Sequence, residues 1–135
     1  MKLVFPILIA AAPLAADLHA QQARDTLPVT VAEKQIAAFN ARDLDAFMAL
    51  YADDANIYEF PSGKLVTQGK AAIRERFAAL MKTSLPEVRV EPRIVNGQFV
   101  VENEVCNAKP GERNQAVWMY EIKGGLIVRS WRMMR

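Results

Sequence analysis

The sequence predicts an α+β domain in which short helices cover one face of an antiparallel sheet. Three observations carry that expectation. Leu44, Phe47, Met48 and Tyr51 recur at three- and four-residue spacing, the mark of an amphipathic helix. Asn96-Gly97 and Gly124-Gly125 separate runs of strand character, and such pairs are hairpin turns. Between these regions, Asp53-Asp54 lead into a strand-like segment that holds one acid, Glu59, among apolar and aromatic neighbours. That order describes a small cup with a carboxylate aimed at its interior.

The first twenty residues stand apart. Lys2 supplies a positive start, residues 3–16 are almost wholly apolar, and Leu18-His19-Ala20 ends the stretch. This is a secretory signal pattern, with cleavage expected after Ala20 and a secreted or periplasmic destination. Pro6 and Pro13 interrupt the apolar run, which falls short of the roughly twenty residues a spanning helix needs. No stable membrane span is therefore expected once the signal is removed. The expected organisation is a signal peptide over 1–20, a flexible leader over 21–29, and a single domain over 30–135. Cleavage removes His19, the one histidine, and leaves Cys106 as the one cysteine. An intramolecular disulfide and a cysteine–histidine pair are both excluded, and Cys106 reads as a packed strand residue.

Within the domain, Thr30 and Glu33 have the spacing of a capping box. The helix that follows puts Ala32, Ile36 and Phe39 on one side. Residues 40–43 interrupt it, and Asp43 is placed to cap the second helix. Residues 56–60 read as a strand, Pro61-Ser62-Gly63 as a turn and 65–67 as a short return. Gly69 precedes a third helix with Ile73, Phe77, Leu80 and Met81 facing inward, ended by Leu85-Pro86. Four long strands follow, over 88–95, 98–107, 115–123 and 126–134, with a turn or loop at Lys109-Pro110-Gly111-Glu112.

Strand alternation sorts the candidate cavity residues. Ala55, Ile57 and Glu59 share a face, as do Phe99, Val101, Asn103 and Val105. Trp118, Tyr120 and Ile122 form the more apolar set of their strand, and Ile127, Arg129, Trp131 and Met133 lie together in the last. If each apolar-rich set faces the helices, one interior holds Glu59, Asn103, Trp118, Tyr120 and Trp131, a mostly apolar pocket with a few polar groups. A carboxylate drawn into such a cup loses hydration and becomes a better base near neutral pH. Glu59 is the candidate general base. A solvated rim position is the other reading of it.

Net charge is +2 with no basic cluster, so no nucleic-acid surface is expected. Adjacent Asp53-Asp54 read as a solvated turn, not as metal ligands. No glycine-rich phosphate loop is present, and neither a metal nor a cofactor is called for.

From Ile36 to Met134 the chain resembles the nuclear transport factor 2-like superfamily, in particular its SnoaL-like and ketosteroid-isomerase-like bacterial members. The residues that carry this are AFNARDLDAFMALYADDANIYEFPSG from Ala38, GKAAIRERFAAL from Gly69 and YEIKGGLIVRSWRMM from Tyr120. The resemblance implies a cone-shaped, cystatin-like fold, with three N-terminal helices over a strongly curved antiparallel sheet. It also implies a homodimer through the outer sheet face, where Val117, Met119 and Val128 are compatible residues. Glu59 falls at or beside the position of the isomerases' proton-shuttling aspartate. Their oxyanion-hole tyrosine and protonated aspartic acid match positions near Gln35 and Trp118, which cannot play the same roles. The expected ligand set is Gln35, Ile57, Asn103, Trp118, Tyr120 and Trp131, around a small apolar or carbonyl-containing compound. Three functions stay open: an exported small-molecule-binding protein, a cofactor-independent isomerase or lyase using Glu59, and a structural or protein-binding dimer with a filled interior.

Overall fold

The computed structural model describes residues 12–84, 86–106 and 114–134. The expected turn at 109–112 and the first part of the apolar leader lie outside the described residues, as does Leu85. Helix α1 (Ala12–Asp25) precedes α2 (Pro28–Asn40) and the short α3 (Leu44–Ala49). Strands β1 (Tyr51–Glu59) and β2 (Leu65–Gln68) form a hairpin, and α4 (Gly69–Met81) follows. Strands β3 (Val88–Asn96), β4 (Phe99–Cys106), β5 (Asn114–Lys123) and β6 (Leu126–Met134) complete one sheet.

Local chemistry explains most of these boundaries. Asp43 caps α3, its carboxylate accepting from the Ala46 amide at 2.9 Å. The expected box at Thr30 does not start α2; the helix opens at Pro28, whose fixed φ suits the first turn. Gly97-Gln98 and Gly124-Gly125 turn the two long hairpins, with all three glycines at positive φ; Asn96, expected in the first turn, is instead the last residue of β3 and pairs with Phe99.

The sheet corrects the expected architecture. Its strand order is β2-β1-β6-β5-β4-β3, with β2 and β3 as separate edges. Strands β3 to β6 form an antiparallel meander, but β1 lies parallel to β6. The sheet is therefore mixed, and it is neither closed nor strongly curved, so no cone forms. Among the described residues the helices number four, not three N-terminal ones, because residues 12–25 are helical and α4 falls between β2 and β3. The reason is topological. Periodicity within each strand says nothing about the relative direction of two strands some seventy residues apart.

The core sits between the helices and one sheet face. Phe39, Phe47, Tyr51 and Phe77 form an aromatic cluster with ring centroids 4.5 to 6.3 Å apart. Ile57, Ile73, Val100, Ile122 and Ile127 close around it. Burying rings of this size contributes on the order of 2–3 kcal/mol each.

Candidate functional site

Strand register brings chemically unlike residues into one row on the helix-facing side. Glu59 on β1 pairs with Arg132 on β6, Arg132 with Trp118 on β5, Trp118 with Glu102 on β4, and Glu102 with Arg93 on β3. Carboxylate and guanidinium stand at both ends of this row, with an indole at its centre. The adjacent row runs Ile57, Ser130, Tyr120 and Val100.

At the β1 end the row opens into a groove of about 320 Å³ lined by Ile57, Glu59, Lys64, Leu65, Val66, Arg76 and Arg132. The turn after β1 shapes one wall: the Gly63 amide donates to the Glu59 carbonyl at 2.8 Å, and the Glu59 amide to Lys64 at 2.9 Å. The other wall is α4, which presents Arg76. Arg132 stacks its guanidinium 5.8 Å from the Trp118 ring centroid. Its Nε is buried and has no hydrogen-bond partner. Burial, and then the nearby charge of Arg76, hold its pKa below the usual arginine value, while Glu104 opposes the shift.

Deeper in the interior lies a polar chain. Gln35, on α2 and buried, donates from Nε2 toward the hydroxyls of Tyr51 at 3.4 Å and Tyr120 at 3.3 Å. The Tyr120 hydroxyl donates to Glu104 Oε1 at 3.0 Å. Burial pushes the Glu104 carboxyl up to about 8; the Tyr120 hydrogen bond opposes this, and the charge of Glu102 adds to it. Burial likewise raises both phenols. Glu102 is fully buried and ion-paired to Arg93, whose Nε donates to Oε1 at 2.6 Å while Nη1 reaches Glu33 at 2.9 Å. Burial raises the Glu102 pKa and Arg93 restrains it. Two neighbouring carboxyls are thus separated: Glu102 has a cation beside it, whereas Glu104 holds its proton into the neutral range.

The structure places the sequence-derived candidates in three groups. Gln35, Trp118 and Tyr120 meet in the interior, and Ile57 lies fully buried beside them. Glu59 shares their face but stands at the exposed strand end, with Ser62 Oγ 3.5 Å from its carboxylate. Asn103 and Trp131 face elsewhere. Asn103 donates to the Glu91 carbonyl at 2.6 Å, on the opposite side of β4 from Glu102 and Glu104. Trp131 pairs with Met119 and stacks on Tyr58 at 5.9 Å, on the sheet's outer side. A register shift between Glu121 and Ile122 lets Ile127 and Ser130 both point inward, which turns Trp131 out. Arg132 and Arg76 are not among the sequence candidates, and the alternation that sets Glu102 and Glu104 on one face fits an exposed strand, whereas the structure turns that face inward and buries Glu102 fully. Counting outward from the Gly97-Gln98 turn sets Arg93 opposite Glu102, a cross-strand pair of opposite charge, whereas a turn at Asn96-Gly97 would set Arg93 opposite Val100. Among the described residues no group of three histidine, cysteine or acidic side chains is arranged to hold a metal.

Residues 32–130 match the SnoaL-like domain family, and the chain belongs to it. Solved structures agree on the fold. An uncharacterised cystatin-fold protein from Novosphingobium aromaticivorans superposes with a TM-score of 0.67 at 24% identity, covering 78% of this chain and 96% of that one. A protein from Kribbella flavida, provisionally named a ketosteroid isomerase, gives 0.65 at 21%, over 78% and 75% of the two chains. An NTF2-like protein of unknown function from Burkholderia xenovorans gives 0.63 at 17%, over 85% and 84%. Identities this low speak for architecture, not for activity.

Proposed function

We propose that this protein binds a small molecule in the groove between the β1–β2 hairpin, α4 and β6. The observation that carries this reading is the lining itself: a volume of about 320 Å³ whose apolar wall of Ile57, Leu65 and Val66 faces the polar groups of Glu59, Lys64, Arg76 and Arg132. An apolar surface with a few oriented polar groups is the usual composition of a ligand site. Leu65 and Val66 are 43% and 44% exposed, so a ligand there gains contact area without displacing the core. The test is native mass spectrometry of gently purified protein, followed by denaturation to release and weigh any passenger. A stoichiometric small molecule that is absent from the Leu65→Arg protein supports the reading. An empty protein, with no thermal shift across a panel of small acids, alcohols and ketones, refutes it.

A catalytic reading is favoured by one further observation: Glu59 lines the same groove. In that reading its carboxylate is the general base of a cofactor-independent isomerase or lyase acting on a carbonyl compound. Glu59→Gln should then abolish turnover while leaving ligand binding intact, and unchanged turnover would exclude the role.

Two properties of the setting belong to the same proposal. The apolar leader suits an exported protein, and N-terminal sequencing of material from the periplasm should find Gln21 first. On the sheet's outer face, Tyr58, Trp131, Met119, Val101 and Ile94 line up across five strands, and Ile94 is 60% exposed. This apolar row suits pairing with a second copy, and sedimentation at micromolar concentration should give the dimer mass.

A further inference from the structure

We infer that the groove is built for an organic monoanion of medium length, with the carboxylate received between Arg132 and Arg76 and the hydrocarbon laid on Leu65 and Val66. The inference rests on the groove reading above and adds the ligand's charge and size.

Charge in the groove lining is unbalanced. The lining holds three cations, Lys64, Arg76 and Arg132, and one carboxylate, Glu59. Among the described residues none of these cations has an ion pair within 4 Å. Glu59 and Arg132 are direct cross-strand partners, yet they form no such pair, and the Glu59 carboxylate lies near Ser62 instead. Arg132 is half-buried, feels the like charge of Arg76, and keeps a buried Nε without a partner. Its interior counter-charge is Glu104, which is largely protonated at neutral pH and then offers little compensation. A planar carboxylate between Arg132 and Arg76 supplies the counter-charge the lining lacks, screens the two guanidinium groups from each other, and matches the forked donor geometry of arginine.

The groove's volume sets the size of the ligand. At roughly 30 Å³ for each water-sized unit, a groove of about 320 Å³ holds about ten heavy atoms. Octanoate has that size, a hydrocarbon tail for the Leu65–Val66 wall and a single negative charge.

The test uses octanoate, octanol and octylamine, measured by calorimetry on the full chain at pH 7. Octanoate should bind at least tenfold more tightly than octanol, weaken as salt is raised, and show no competition from octylamine. Arg132→Gln and, independently, Arg76→Gln should each cost octanoate tenfold or more and leave octanol unchanged. Arg76 lies on α4 away from the core contacts of Ile73 and Phe77, so that variant keeps the test decisive if Arg132→Gln fails to fold. Octanol binding as tightly as octanoate, or both variants retaining octanoate affinity, would overturn the charge assignment while leaving the groove as a binding site. If none of the three binds and no passenger is released in native mass spectrometry, the groove reading itself falls.

Discussion

Replacing Glu104 with glutamine isolates the energetic consequence of a half-buried acid whose carboxyl is desolvated. Glu104 titrates at about 8 in the folded protein against 4.5 for the unperturbed group. At 1.36 kcal/mol for each pKa unit, the difference is worth up to about 5 kcal/mol. The sign follows from which state releases the proton first. The unfolded chain ionises near 4.5 and the folded chain near 8, so folding stability falls as pH rises through that window and levels off above it. Glutamine cannot ionise, and its amide oxygen still accepts from the Tyr120 hydroxyl. Glu104→Gln should therefore match the parent protein near pH 4. It should become more stable by about 1.4 kcal/mol per pH unit above 4.5, reach about 3 kcal/mol at pH 7, and plateau beyond pH 8. Urea unfolding at half-unit pH intervals, read by circular dichroism, gives this curve directly. Glu102 also carries a raised pKa but is present in both proteins, so its contribution largely cancels. A stability difference that stays constant from pH 4 to 9 would refute the proton-holding state of Glu104.

Three further perturbations test the packing of the same region and the helix geometry above it. Arg93→Met strips Glu102 of its one cationic hydrogen-bond donor and should cost about 3 kcal/mol at pH 7, less at pH 4 where Glu102 can take up a proton. Glu33→Gln, which removes only the exposed arm of the Glu33–Arg93–Glu102 chain, should cost under about 1 kcal/mol in the same unfolding assay. Asp43→Ala leaves the Ala46 amide without its acceptor and should lower stability by about 1 kcal/mol, measured by thermal or chemical denaturation.

The elements that sequence reveals are those encoded by adjacent residues. Asp43 caps a helix because its side chain reaches an amide three residues on, and the two glycine-containing turns impose their hairpins locally. Facing is less legible. On β4 apolar residues occur on both sides, so Phe99, Val101 and Val105 compete with Val100 for the interior. The set containing Glu102 and Glu104 goes inside because Arg93, on the neighbouring strand, and Tyr120 supply partners that alternation alone does not reveal. Trp131 was displaced by a single register shift on β6, which local pattern does not mark. Arg132 carries no local signal in the sequence for a different reason. Its importance comes from Arg76 on α4 and from Trp118, neither of which is near it in sequence.

The parallel contact between β1 and β6 also constrains how the chain is made. β6 occupies the middle of the sheet, with β1 and β2 on one side and β5, β4 and β3 on the other. Until Leu126–Met134 has left the ribosome, the β1–β2 hairpin with its helices and the β3–β5 meander are two separate pieces, each with an open edge beside an apolar surface. The nascent chain therefore waits for its last strand before it can bury that surface, and a chaperone that shields exposed edges would act on it during this interval.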